Sequence, residues 1–589
     1  MQRRDFLKYA GTLGLTSALR LRQAIAWAVP HPGSGFPSGS AASAAKPLTA
    51  PIPGKFVDVT KASGVDFIGK ASHTAKKYLV ETMGSGVALF DYDNDGRLDI
   101  FFANGAPLSD PTPPGAIPQK SGPEYWNRLY HQKPDGTFED VTEKAGLQGI
   151  GYDFGVAVGD YDNDGFQDLY VTGYGGNRLY HNNGDGTFTD VTEQSGTGGG
   201  GWSTSAVWVD LDNDGLLDLV VLRYMKWDFT DIWCGEHRPG YRAYCTPNLF
   251  PPIAPLVYHN EGNGKFTEVS AHIGLDKPGK GLDISIADYD RDGHIDLFVA
   301  NDSMVEFLYH NKGNGTFEED GLLAQVAVDG MGLTYAGMGT DFQDYNNDGW
   351  PDIIVTDLAN QKYALYENNK DGSFNYATYM SGLGEETLLH SGWGVRFLDY
   401  DNDGWKDIII AQSHDIDNIR LQDPQLHYRE PMMLLQNMRN GKFDLVSPES
   451  GAVFHQRWVA RGLARGDIDN DGRLDVVVSS NDGPAYVVRN VTENNNHWLT
   501  LLLVGHKSNR DAIGSVVKLT TAQGSQWWTV TTAGSYCSAS DKRAHFGLGP
   551  ETIATTIEIQ WPSGIQHTLH NIKADQFLRV DEPVDKPRW

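Results

Sequence analysis

The sequence predicts an all-β fold: a seven-bladed β-propeller followed by a small β-sandwich-like domain. Three observations carry this. An acidic motif, D-x-D/N-x-D-G-x-x-D, occurs seven times in 589 residues. Short apolar, β-branched runs flank the copies. A third run and an Asp-Gly or Asn-Gly turn into a fourth follow most of them.

In chain order, the N-terminus comes first. Arg3 and Arg4 open "RRDFLK", a twin-arginine pattern, and small-x-small sites follow at 24–28. This predicts an export signal over residues 1–28 and a periplasmic or secreted protein. A short membrane anchor is the competing reading. Against it, Arg20 and Arg22 interrupt an apolar run that falls short of the ~20 residues a span needs. No transmembrane segment is expected once the signal is removed. Residues 29–53 are rich in Pro, Gly, Ser and Ala and read as a disordered linker.

Residues 54–491 hold the repeat. The motif starts at Asp91, Asp160, Asp210, Asp288, Asp344, Asp399 and Asp467. The uneven steps suit a constant unit with connections of different length. Gly-rich apolar runs such as "GVALF" (86–90) precede it, and runs such as "DIIIA" (407–411) follow; both read as buried strands. The stretch "NRLYHNNGDGTFTDVT" (177–192) supplies a hairpin, whose Asp-Gly gives the positive φ a tight turn requires. Four strands in each of seven units is propeller patterning. The seventh unit lacks a fourth strand, while "GKFVDVT" (54–60) has that form and no unit of its own. It is expected to pair with the last blade and close the ring, leaving no open sheet edge.

The acidic motif predicts a cation loop. Side-chain oxygens at positions 1, 3, 5 and 9 can converge, Gly at position 6 makes the turn, and the carbonyl at position 7 can add a ligand. The candidate ligands are Asp91, Asp93, Asp95 and Asp99; Asp160, Asp162, Asp164 and Asp168; Asp210, Asp212, Asp214 and Asp218; Asp288, Asp290, Asp292 and Asp296. They continue with Asp344, Asn346, Asp348 and Asp352; Asp399, Asp401, Asp403 and Asp407; and Asp467, Asp469, Asp471 and Asp475. Hard oxygen donors in this number suit Ca²⁺ rather than zinc or copper, with up to seven structural ions. An EF-hand is excluded, because no Glu stands at position 12 and no helices flank the loop. The net charge of −28 would fall to about −14 with seven divalent ions bound. The same acidic balance argues against nucleic-acid binding.

Of three cysteines, Cys234 and Cys245 lie close together and Cys537 stands alone. In an oxidising compartment a Cys234–Cys245 disulfide is expected. Two free thiols, or a zinc site with His237, are the alternatives.

Residues 492–583 form the second unit, with strand-like runs and no helical periodicity. Here a resemblance becomes specific. The acidic units look like FG-GAP/VCBS repeats, as in the integrin α-like propeller, in which the calcium loop joins strands one and two of a blade. "NHWLTLLLVGHKSNRDAIGSVVKL", "HFGLG" and "IEIQWPSG" resemble the ASPIC/UnbV domain. The combination is similar to the cartilage acidic protein family and its bacterial relatives, over about residues 54–581.

Alternating strand direction puts the acidic loops on one face of a propeller and the long insertions, 103–127, 222–256 and 411–432, on the other. Ligand recognition is expected on that second face. Its candidates are Arg223, Tyr224, Trp227, His237, Arg238, His390, His414, Arg457 and Trp458. Aromatic faces and Arg forks suit a glycan, a peptide or a partner protein. Equally, the 223–250 insertion reads as a lid over its own apolar side chains. His73, Lys76, Asn301, Asp302, Trp393, Asp415 and Arg461 reach the same face, and a second metal site from His73, His390 and His414 stays open.

Two functions follow. One is a non-catalytic, calcium-stabilised binding module. The other is an enzyme at the channel mouth: a polysaccharide lyase, hydrolase or dehydratase. No G-x-S-x-G, H-E-x-x-H, P-loop or Rossmann pattern is present, and the sequence does not decide whether the protein is catalytic.

Overall fold

The computed structural model describes residues 46–584. The expected export signal and most of the expected linker lie outside the described residues. The end of that linker is tied down, contrary to expectation. Leu48 N donates to Met438 O at 3.1 Å and Ile52 N to Gln436 Oε1 at 2.6 Å, so these residues lie along the sixth sheet.

Among the described residues, seven antiparallel sheets of four or more strands precede the C-terminal domain, six of four strands and the fourth with Tyr335–Ala336 added as a short fifth strand off its path. The first runs Val87–Phe90, Asp99–Phe102, Arg128–Gln132 and Phe138–Asp140 in spatial order. The last runs Ala460–Gly466, Asp475–Ser480 and Tyr486–Asn490, and its outer strand is Phe56–Asp58 from the other end of the chain. First strands of successive sheets are neighbours, and that of the seventh sheet lies beside that of the first. This ring of sheets is a propeller. The innermost strands are buried throughout, whereas outer strands such as Phe138–Asp140 bury only their first residue.

The closing strand is pinned like an internal one. In the first sheet Asp140 Oδ1 accepts from Thr142 N, and Thr142 Oγ1 accepts from Leu129 N at 2.9 Å. At the closure Asp58 Oδ1 accepts from Thr60 N, and Thr60 Oγ1 accepts from Val487 N at 2.9 Å. The Asp-Val-Thr pattern thus docks an outer strand onto the third strand of its sheet.

Side-chain amides staple neighbouring sheets. Asn182 Nδ2, at the end of a third strand, donates to Tyr92 O of the preceding sheet at 2.8 Å. Asn260, Asn311, Asn368, Asn437 and Asn490 repeat the bond, and Gln132 Nε2 closes the series on Ile468 O at 2.8 Å.

The C-terminal domain packs a four-stranded sheet against a three-stranded one. Leu501, Trp528, Phe546, Ile557 and Trp561 lie in the shared core. His497–Val504 and Gln576–Asp581 pair in parallel. The domain therefore has seven strands in two sheets around one core, which is sandwich-like.

Between Thr529 and Ala544 the chain leaves this domain and runs down the propeller axis. Thr532 Oγ1 donates to Val158 O at 2.8 Å, Ser535 N to Thr340 O at 2.9 Å and Ala539 N to Val87 O at 3.0 Å. Each acceptor belongs to the innermost strand of a different sheet. The buried Arg396 guanidinium donates to Ala533 O at 2.6 Å. The tip, Tyr536 and Cys537, is buried among Met83, Trp202, Tyr224 and Trp393. A Cβ at Gly86 would stand 1.6 Å from Cys537 O, so glycine there is a condition for the loop to enter. The propeller channel is filled by the protein's own chain.

Candidate functional site

The acidic turns are built alike. In the first, Asp91 Oδ1 accepts from Asp95 N at 3.0 Å and Oδ2 from Gly96 N at 2.9 Å. Gly96 sits at φ 86°, the left-handed region that favours glycine. Asp99 accepts from Gln132 N at 2.7 Å and from Tyr92 N at 3.3 Å. The backbone therefore fixes the carboxylates at positions 1 and 9, and the acids between them close around the same point. Asp91, Asp93 and Asp95 each offer an oxygen within 4.8 Å of the others. Asp93 Oδ1 is buried with no hydrogen-bond partner. Such a set of hard donors fits a divalent cation.

The third strand adds one residue to each loop, a contribution the motif does not reveal. His131 Nδ1 lies 3.2 Å from Asp99 Oδ1 and 3.5 Å from Asp93 Oδ2. His181 and His310 stand likewise over the second and fourth loops, and His259 lies 3.0 Å from Asp218 in the third. The equivalent residues are Glu367 in the fifth sheet, Gln436 in the sixth and Arg489 in the seventh. The available signal was the recurring Tyr-His of the third strand in the first four sheets.

Burial and mutual repulsion raise the loop acids. Burial is the larger cause, and it pushes Asp99, Asp168, Asp210 and Asp296 up to about 7 and Asp160 to about 8. His181, His259 and His310 are raised to about 9 by the position-nine carboxylates beside them. Without a cation these loops retain protons near neutral pH.

The C-terminal domain packs on this face, leaving acids of the first three loops exposed. Gly549 N donates to Asn402 O at 2.9 Å, Arg510 N to Asn163 Oδ1 at 2.7 Å and Arg543 Nη2 to Asp467 O at 3.1 Å. Asp511 Oδ2 accepts from Asp160 N at 2.9 Å.

On the opposite face the long insertions meet. A disulfide joins Cys234 to Cys245. Arg242 pairs with Asp231, which also meets Lys76 Nζ at 2.6 Å. His73 Nδ1 and Tyr244 OH are 2.9 Å apart, and Tyr244 OH donates to Glu81 Oε2 at 3.1 Å. Lys77 pairs with Asp417 and lies over the Tyr244 ring, 5.0 Å from its centroid. These residues form a polar mouth above the channel plug. Asp417 Oδ1 and Asn418 Oδ1 are buried there with no hydrogen-bond partner.

The anticipated ligand residues divide. Tyr224 is buried, and its hydroxyl donates to Asp302. Trp227 packs on Tyr78, Tyr174, Trp202 and Phe229, and Trp458 is buried, stacked on Tyr486 at 3.6 Å. Tyr224 and Trp458 are core rather than open face, because aromatic area is worth most when removed from water, and Trp227 is half-buried against that core. To that extent the insertion is a lid over its own side chains. Arg223 caps Ala254 O at 2.7 Å. His390 bonds Glu430 Oε2 at 2.7 Å and His414 lies 2.7 Å from Asp415 Oδ1, so His73, His390 and His414 each hold a separate partner. His237 stacks on Trp233, and Arg238 covers the Tyr241 ring at 3.4 Å; both are exposed, as is Arg457. Glu81, Lys77 and Asp417 were missed, since nothing local in the sequence joins them.

Family comparison agrees with this architecture. FG-GAP-like repeats match over residues 91–171, 160–221, 254–299, 288–355 and 344–410, and the ASPIC and UnbV family over 505–587. The chain belongs to the proteins that join FG-GAP-like repeats to an ASPIC/UnbV domain. Among curated proteins it is similar to cartilage acidic protein 1 of Homo sapiens, 27% identical over 328 residues, covering 54% of this chain and 47% of that one. The Xenopus tropicalis counterpart is 25% identical over 338 residues, covering 54% of this chain and 49% of the other. The chain thus spans about half the length of the curated relatives it matches. Among solved structures, an Agrocybe aegerita lectin that recognises non-reducing terminal N-acetylglucosamine aligns at 15% identity and TM-score 0.37, over 68% of this chain and 86% of that one. YCF48 bound to D1 peptide aligns at 7% identity and TM-score 0.39, over 76% and 99%. No helix among the described residues is long and apolar enough to cross a membrane.

Proposed function

We propose that this protein is an exported, calcium-stabilised binding module that recognises a glycan, a peptide or a partner protein on the face opposite its acidic loops. One observation carries the reading. The C-terminal domain packs on the loop face and the channel is filled, which leaves the opposite mouth, with exposed His73 and Trp233 and half-exposed Lys77 and Asp417 around the buried Tyr244, as the open chemistry of the second face. Aromatic faces beside charged groups suit sugars and peptide side chains. The twin-arginine start and the Cys234–Cys245 disulfide support export to an oxidising compartment.

Calcium is the cation that the loop donors favour: all are hard oxygens, apart from one imidazole at four loops. When bound it supplies positive charge to carboxylates that otherwise repel. Asp91 and its counterparts order the turn, and Gly96 and its counterparts let the chain wrap.

A second reading, catalysis at the mouth, is favoured by Asp302. Burial raises its carboxyl to about 6, Tyr224 donates to it, and Asp415 faces it. A buried, pKa-shifted acid with a hydroxyl partner is a pattern of acid–base sites.

Thermal-shift screening against glycans, peptides and metabolites at saturating calcium tests the proposal. A ligand that raises the Tm of the wild type, but not that of Lys77→Ala or Tyr244→Phe, supports the mouth as the binding surface. A shift unchanged in both variants rejects it. Turnover of the stabilising ligand, lost in Asp302→Asn, selects the enzyme reading.

A further inference from the structure

The fourth residue of each third strand faces position three of the acidic loop in its own sheet. It is His131, His181, His259 and His310 in the first four sheets. In the fifth sheet position three is Asn346, one carboxylate short, and the facing residue is Glu367, whose Oε1 accepts from Asn346 Nδ2 at 3.3 Å. The acid lost from the loop is restored from the strand. In the sixth, Gln436 Nε2 donates to Asp401 Oδ2 at 3.0 Å. Each of these six residues is neutral, acidic or able to shed its proton.

The seventh differs. Arg489 pairs directly with Asp469, lies 3.5 Å from Asp471 Oδ2, and its Nε lies 3.2 Å from Asp475 Oδ2. One guanidinium thus draws on the carboxylates at positions three, five and nine. Its charge cannot be removed at any pH the protein meets. Arg97, Lys370, Arg439 and Arg473 also touch loop acids, but each pairs with position five alone. Among the seven loops, Asp469 is the only position-three acid held by a permanent cation.

We infer that the seventh loop takes no calcium: Arg489 is a built-in counter-ion that keeps its turn folded, so the ring holds at most six ions. This rests on the calcium reading above. The substitution acts as a permanent lock where the ring is closed by two ends of the chain: Val57 of the closing strand lies opposite Arg489. That sheet is then held without depending on the calcium supply.

The test compares the wild type with Arg489→His, which installs the residue of the first four sheets. Both full chains are stripped with chelator, re-equilibrated with calcium, and their bound metal counted by native mass spectrometry. Arg489→His is expected to hold one equivalent more than the wild type. Equal counts, or seven ions in the wild type, overturn the inference. No calcium in either chain overturns the calcium reading itself, and the inference with it. Should the variant fail to fold, wild-type crystals soaked in terbium decide the matter. Anomalous peaks at other loops and none between Asp469 and Asp475 support the lock, and a peak there overturns it.

Discussion

The Asn470 side-chain amide donates to Gly96 O at 2.9 Å, joining the last acidic loop to the first. The same bond runs round the ring. Asn94 reaches Gly165, Asn163 reaches Gly215, Asn213 reaches Gly293, Asn347 reaches Gly404 and Asn402 reaches Gly472. Arg291 makes the remaining link, to Gly349. All seven donors have left-handed φ between 56° and 61°, a conformation Asn tolerates better than most residues. The loop is thus a joint between sheets as well as a candidate cation cradle.

Replacing Asn470 with Ala should cost about 1–2 kcal/mol, from the lost bond and the strained φ. Arg291→Asn should stay within about 0.5 kcal/mol of wild type, because it restores the residue used elsewhere in the ring. Urea unfolding midpoints check both.

Deleting residues 54–60 should destabilise the whole propeller. The truncation removes the Phe56–Asp58 strand and the Thr60 pin and bares the edge of Tyr486–Asn490. A truncated chain that melts like the full one would show that the closure carries no weight.

The axial loop makes the two domains one cooperative unit. Tyr536→Ala removes a fully buried ring and should cost about 3–5 kcal/mol. Gly86→Ala should also destabilise, since its Cβ would strike Cys537 O. Limited proteolysis between Asn490 and His497 should accelerate in both variants.

Stability without metal should fall as pH rises. Asp99, Asp168, Asp210 and Asp296 have folded values near 7, raised above the ordinary carboxylate value of about 4, so the stability their protons contribute is lost as pH rises from about 4 through 7. His181, His259 and His310, near 9, act in the same direction at higher pH. His545, held neutral and lowered to about 3 by burial, acts oppositely as pH falls through about 6.5. Calcium displaces the loop protons, so the gain in Tm on adding it should grow from pH 6 to pH 8. Differential scanning calorimetry in chelator and in calcium checks this.

Much of this fold was legible because it is written locally and repeatedly. The acidic turns, the runs beside them and the orphan "FVDVT" strand each carry their own pattern. The axial loop does not: "TTAGSYCSASDKR" is small and polar without periodicity, and only its neighbours explain its burial. The mouth was illegible for another reason. His73 and Tyr244 are 171 residues apart and Lys77 and Asp417 are 340, so only the ring brings them together. Tyr224 and Trp458 misled because an aromatic beside a long loop looks the same whether it faces a ligand or the core.

The most direct test of the account is the melting of the full chain at pH 7.5 with saturating calcium and with chelator. Calcium at a thousandfold excess over its dissociation constant contributes about 4 kcal/mol per independent loop. The account therefore predicts a large, calcium-dependent rise in Tm, reversed by chelator. An unchanged Tm, with no calcium bound at equilibrium, would contradict it.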